Sequence, residues 1–194
     1  MRLRLRALER NIFKYRAFQM ILVLFHAERL KKFIVGTIKA TDRICKTQRL
    51  KIGSKKVYQS ACDILVQDGV ITQAERNEIR DLTNYRNDIA HEVHILTCDL
   101  SRDRFVREFQ LFLEKSYDYA ALNRLKSLRA KIEKGSRSKY IIELPFDHVL
   151  FEDAEKVFVQ ELASLRRKID RQFKLRKLQV EQEVHECRKP ELGI

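Results

Sequence analysis

The chain has 194 residues, 44 % hydrophobic and 35 % charged, a balance that excludes a disordered polyelectrolyte and suits one compact domain with an appended element. Only 5 Gly and 2 Pro occur, so the regularly spaced turn signals of an all-β protein are missing and long helices are expected. Lys and Arg number 40 against 27 Asp and Glu, a formal net charge of +13 that favours a polyanionic partner such as RNA, DNA or an anionic membrane.

The first element is predicted from about Leu8 to Lys46, where Ile12, Phe13, Met20, Leu24, Ala27, Phe33 and Ile38 fall at helical steps. Its strongly apolar run, Ala17 to Phe25, is far shorter than the ~20 residues that cross a bilayer. It is therefore read as a buried helix face. Arg2, Arg4 and Arg6 imitate the basic start of a signal peptide, but Glu9, Lys14 and Arg16 intervene before the apolar stretch and no small-residue cleavage site comes after it. The cysteines, Cys45, Cys62, Cys98 and Cys187, are scattered, with neither a C-x-x-C pair nor a compact framework. Reduced thiols in a cytoplasmic protein, away from membranes, are the expectation.

Gly53 and Ser54 mark a turn in a polar stretch, after which Val57, Ala61, Ile64 and Leu65 outline a second helix that Asp68-Gly69 closes. Thr72 followed by Glu75 is a capping-box pattern, in which hydroxyl and carboxylate satisfy otherwise unpaired amides at a helix start. A third helix should begin there with Ile79, Leu82, Ile89 and Val93 on its apolar face. Asp99 and Ser101 are candidate caps for a fourth, from about Arg102 to Lys134, with Phe105, Phe109, Phe112, Leu113, Leu122, Leu125 and Leu128 as core.

Gly135 to Ser138 breaks that pattern, and Tyr140 to Pro145 is a short apolar stretch whose isolation makes it a connector rather than a sheet. A last amphipathic helix is expected from about Glu152 to Glu186, with Phe158, Leu162, Leu165, Ile169, Phe173 and Val180 on one face. Packing on its own bundle is its first role, and a partner or dimer contact its second. The expected all-α organisation is a four-helix up-and-down bundle over 1–135, a connector over 136–150 and a C-terminal helix over 151–194.

The third helix carries Tyr85-Arg86-Asn87-Asp88-Ile89-Ala90-His91. The segment Arg86 to His91 resembles the R-x4-6-H signature of HEPN domains, here with x4 spacing and with Asn87 at a position that the family usually keeps polar. The resemblance extends over roughly residues 8 to 134, but its specific part is those few residues. It implies a HEPN-like bundle and an endoribonuclease that needs no metal or other cofactor. The enzyme would act as a homodimer with facing motifs, as a toxin or antiviral defence effector restrained by an antitoxin or partner protein.

The residue types suit that chemistry. RNA supplies its own nucleophile in the 2′-OH, so the protein need only move a proton, hold the phosphate and offset the charge that develops. The resemblance assigns proton transfer to His91, a donor fork on phosphate to Arg86, and orientation of substrate or of His91 to Asn87. On a straight helix, however, Arg86 and His91 lie roughly 140° apart around the axis and about 7.5 Å apart along it. Either the helix distorts or ends near His91, or the Arg86 side chain reaches round, or a second subunit completes the site.

Other residues are read more plainly. HEPN toxins controlled by nucleotide transfer carry a tyrosine two residues after the histidine, a position occupied here by Val93. That mode of control is therefore not implied, and Tyr85 is read as a packing residue. His91 and His94 fall one residue short of the H-E-x-x-H zinc spacing, so no metal site is expected. His26 reads as a core histidine with a hydrogen-bond partner, and His148 and His185 as surface residues. Two rival readings keep the bundle without catalysis: a module that binds RNA or a partner protein, and a structural helical adaptor.

Overall fold

A computed structural model describes residues 6–51, 53–54, 56–97, 100, 117–142 and 147–188. Among these residues there are five α-helices, one 3₁₀ turn and no strand. The helices are α1 (Ala7–Ile44), α2 (Val57–Gln67), α3 (Gln73–His91), α4 (Ala121–Ser136) and α5 (Asp147–Arg188), with the 3₁₀ turn at Val93–Leu96.

Helix α1 is the axis of the molecule, packing against every other element. Its sequence explains why: Leu22, Phe33, Leu30, Val23, Ile34 and Ile38 follow one another around a sector about 160° wide, and all are buried. A helix apolar on more than one side must be covered on more than one side. Helix α5 covers one flank in antiparallel register, through Glu9 with Arg176 (2.9 Å), Asn11 with Gln172 (3.0 Å) and a stacked pair, Phe25 and Phe151. Helices α2, α3 and α4 cover the remainder, contributing Ala61, Leu65, Ile79, Leu82, Ile89, Leu125 and Ile132 to the same core.

The turns obey local chemistry. Asp42, buried at the end of α1, accepts hydrogen bonds from Thr47 Oγ1, from the Arg49 and Leu50 amides and from Arg49 Nε, at 2.8–3.1 Å. Burial pushes its pKa up, but those donors hold the carboxyl below its ordinary value. Gly69 closes α2 with φ +66°, and Thr72 and Glu75 form the reciprocal capping box that opens α3. Gly135 lies where an added Cβ would stand 3.1 Å from Val70 Cγ1, so α4, which ends at Ser136, passes close to the α2–α3 turn there.

Several boundaries differ from the periodicity. The helix expected over 102–134 does not run through 117–120, which is non-helical ahead of α4: the Tyr117 hydroxyl donates to Arg16 O (3.1 Å), and Asp118 Oδ1 accepts from the Ala120 amide (2.8 Å). Asp99, Ser101, Phe105, Phe109, Phe112 and Leu113 lie outside the described residues. Helix α5 begins at Asp147, ahead of the expected Glu152.

Candidate functional site

Helix α3 positions the motif by burying Ile79, Leu82 and Ile89 while turning Arg80, Asn84, Asn87 and His91 to solvent. These polar residues recur at steps of four, three and four, which confines them to a sector about 60° wide. They form one stripe that ends at the helix terminus. The last helical residue is His91, and Glu92 (φ −118°, ψ 62°) leaves the helix while its amide donates to Asp88 O at 2.6 Å.

Arg86 lies off that stripe, toward α1. Its Nη2 stands 3.8 Å from Glu28 Oε2, and its Nε is buried with no acceptor among the described residues. The guanidinium nevertheless reaches back across the helix, since Nη1 donates to Asn87 Oδ1 at 3.0 Å. The structure thus joins Arg86 to Asn87, places Asn87 and His91 on one face a turn apart, and ends the helix at His91. No hydrogen bond links His91 to the other two among the described residues.

The chain beyond His91 is held by residues that the motif does not contain. Arg16, buried in α1, donates from Nη1 to Leu96 O (3.1 Å) in the 3₁₀ turn and from Nε to the Tyr119 hydroxyl (2.7 Å). Its guanidinium lies 5.1 Å from the Tyr117 and Tyr119 ring centroids. Gln19 adds a bond to Tyr119 O (2.9 Å) and accepts from Tyr117 Oη (3.0 Å). The Asp118 amide in turn donates to Tyr85 Oη at 3.0 Å, so the residue before Arg86 is tied to the same knot. Tyr85 therefore packs, and both ends of the motif rest on α1 and the 117–120 segment. The local signal for this is a basic residue just before the apolar run of α1, which counts against a signal peptide in the sequence but does not reveal what it bonds.

The other candidates are more isolated. His94 is exposed, 3.9 Å from Glu92, and Val93, expected on the apolar face of α3, is exposed beside it because the helix has already ended. Among the described residues no group of three or more His, Cys, Asp or Glu side chains is placed to hold a metal ion. His26 is buried, with Nε2 3.0 Å from Glu155 Oε1 on α5. Cys45 and Cys62 are free thiols, while the Cys98 and Cys187 side chains, like that of His148, lie outside the described set. No described helix is long and apolar enough to cross a membrane.

Comparisons with protein-family models, with curated proteins and with solved structures found no match for this chain.

Proposed function

We propose that this protein is a metal-independent endoribonuclease of the HEPN type, cutting RNA at a homodimer-interface site as a toxin or antiviral defence effector. The observation that carries the reading is the end of α3: an arginine fork bonded to Asn87, and an exposed imidazole one turn on, at the point where the helix stops.

In the proposed reaction His91 accepts the proton of an RNA 2′-OH, the 2′-oxygen forms a bond to the adjacent phosphorus, and the bond to the 5′-oxygen breaks. That oxygen takes a proton from water and His91 returns its own to solvent, giving a 2′,3′-cyclic phosphate and a 5′-hydroxyl end. The Arg86 donors offset charge on the non-bridging oxygens. Because Arg86 and His91 project from different sides of α3, pairing two α3 ends about a twofold axis supplies both groups to one phosphate. Sedimentation should then report a dimer, and a monomer at catalytic concentrations would remove this part of the proposal.

The test is incubation of purified protein with single-stranded RNA in EDTA. Cleavage to cyclic-phosphate ends is expected, and His91→Ala should lower the rate by about 10² to 10⁴ while retaining the helical fold. Arg86→Lys should recover only part of what Arg86→Ala loses, since an ammonium carries the charge without the fork. His94→Ala serves as the control and should cut normally. A folded His91→Ala protein with wild-type activity would leave an RNA-binding module as the better account. That second reading draws on the basic outer face of α5, where Arg167, Arg171 and Lys174 are exposed.

A further inference from the structure

The exposed stripe of α3 leads away from the motif into a cavity. Between α2 and α3 lies a cleft of about 270 Å³ walled by Tyr58 and Cys62 from α2 and by Ile79 and Thr83 from α3, with Arg80 and Asn84 among its lining residues. Its size sits at the low edge of small-molecule sites, which run from about 300 Å³. A flat ring with part of its sugar fits, and a folded peptide segment does not.

The lining specifies the chemistry further. Tyr58 bonds Thr83 through its hydroxyl, and Thr83 Oγ1 itself donates to Ile79 O at 2.7 Å, so the phenol ring is held as a wall. Burial pushes the Cys62 thiol up to about 12, which keeps it neutral beside buried Ile79 as an apolar floor. At the edge, Asn84 presents an exposed amide that can both donate and accept, as reading a base edge requires. The Arg80 guanidinium, exposed and only loosely paired with Asp81 at 3.6 Å, is available to a phosphate. Among the described residues no carboxylate lines the cleft.

We infer that the α2–α3 cleft is a nucleotide subsite of the ribonuclease: it takes one unstacked base of single-stranded RNA against Tyr58, with Asn84 on the base edge and Arg80 on a phosphate. The inference rests on the proposed activity for its direction, since Arg80, Asn84, Asn87 and His91 lie on one line and Asn84 precedes His91 by about 10 Å along the helix. A short stretch of strand seated in the cleft would be led to His91. Single-stranded RNA is read in this way generally, by splaying a base onto an aromatic wall and bonding its edge.

The experiment uses the full chain and a short single-stranded RNA with 2′-O-methyl groups, which cannot be cut by attack of its own 2′-oxygen. Saturating RNA should shift the NMR signals of the Ile79 δ1 and Thr83 γ2 methyls. Arg80→Ala and Asn84→Ala should each weaken binding by roughly tenfold, whereas His94→Ala should leave it nearly unchanged. Asn84→Ala should also alter the ranking of adenine-, guanine-, cytosine- and uracil-rich probes. Methyls that stay in place at saturation, or wild-type affinity in both cleft variants, would overturn the subsite whether or not the protein cuts RNA. If the cleft variants bind weakly but the wild type cuts nothing, the subsite stands and the ribonuclease reading falls.

Discussion

His26 shows how much a single buried group can couple. It lies in the middle of α1, its Nε2 on Glu155 of α5, while Nδ1 is buried with no partner among the described residues. Lys126 and Arg129 of α4 face the same cluster, Arg29 stands 3.9 Å from Glu155, and Lys126 Nζ bonds Glu155 at 2.7 Å. Burial lowers the His26 pKa below its ordinary 6.5, against the pull of Glu155, and the two cations push the same way as burial. Burial pushes the Glu155 carboxyl up, but Lys126 and His26 hold it below its ordinary 4.5, so it stays ionised across the His26 window.

The direction of the pH effect depends on which state binds more protons. Above the ordinary imidazole pKa neither folded nor unfolded His26 is charged, and its contribution is complete. As pH falls through that value the unfolded chain takes up the proton first, so stability declines until the lower folded pKa is passed. Denaturant midpoints measured from about pH 8 to about pH 5 should fall with decreasing pH, and His26→Gln should flatten that dependence. A wild-type midpoint unchanged over this range would contradict the buried, neutral histidine.

At the scale of elements, what the sequence makes legible is whatever is encoded within a few residues. The Thr72–Glu75 box is the clearest case, and the structure contains both reciprocal bonds. Thr72→Ala should therefore cost about 1 kcal/mol, read as a shifted denaturation midpoint. The Asp68-Gly69 turn and the wide apolar face of α1 were legible for the same reason, and the end of α1 to within two residues, at Ile44 against the expected Lys46. The non-helical stretch at 117–120 was not, because Tyr117 is drawn out of helical register by bonds to Arg16 and Gln19, about a hundred positions away. Likewise Asn87 and His91 were legible as a pair of polar positions, but the lean of Arg86 onto Asn87 and Glu28 depends on where α1 lies. The cleft between α2 and α3 left no signal in either helix alone.

Helix α5 divides into two regimes that periodicity treats alike. Leu162 and Leu165 are buried against the bundle, whereas Phe173, Leu178, Val180 and Val184 are between 44 and 62 % exposed. The expected apolar face thus continues past the part that α1 covers, where Glu9 meets Arg176 near the beginning of α1. Leu165→Ala should destabilise the protein by about 2 to 5 kcal/mol. Leu178→Ala, with little contact to lose, should stay within about 0.5 kcal/mol. Comparable losses at both positions would mean that the distal part of α5 is buried in solution.

Over the whole molecule, the +13 charge is not spread evenly on paired side chains. Along α5, Arg166 is matched by Asp170, Arg176 by Glu9 and Lys177 by Glu181. Arg167, Arg171 and Lys174 are exposed, have no ion pair among the described residues, and recur at steps of four and three. That spacing puts them on one stripe, on the side of α5 opposite Leu162, Leu165 and Ile169. A stripe of unmatched cations binds phosphates chiefly by releasing counterions, which carries affinity but little sequence information. RNA affinity should therefore fall steeply with salt, and a plot of log affinity against log salt should lose about 0.7 in slope for each phosphate contact removed. Arg171→Ala and Lys174→Ala should weaken binding by the same factor for every RNA sequence and reduce that slope. Asn84→Ala should change sequence preference and leave the slope nearly as it was. A wild-type affinity that does not respond to salt would detach the basic face from RNA altogether, and would make a protein partner the better match for α5.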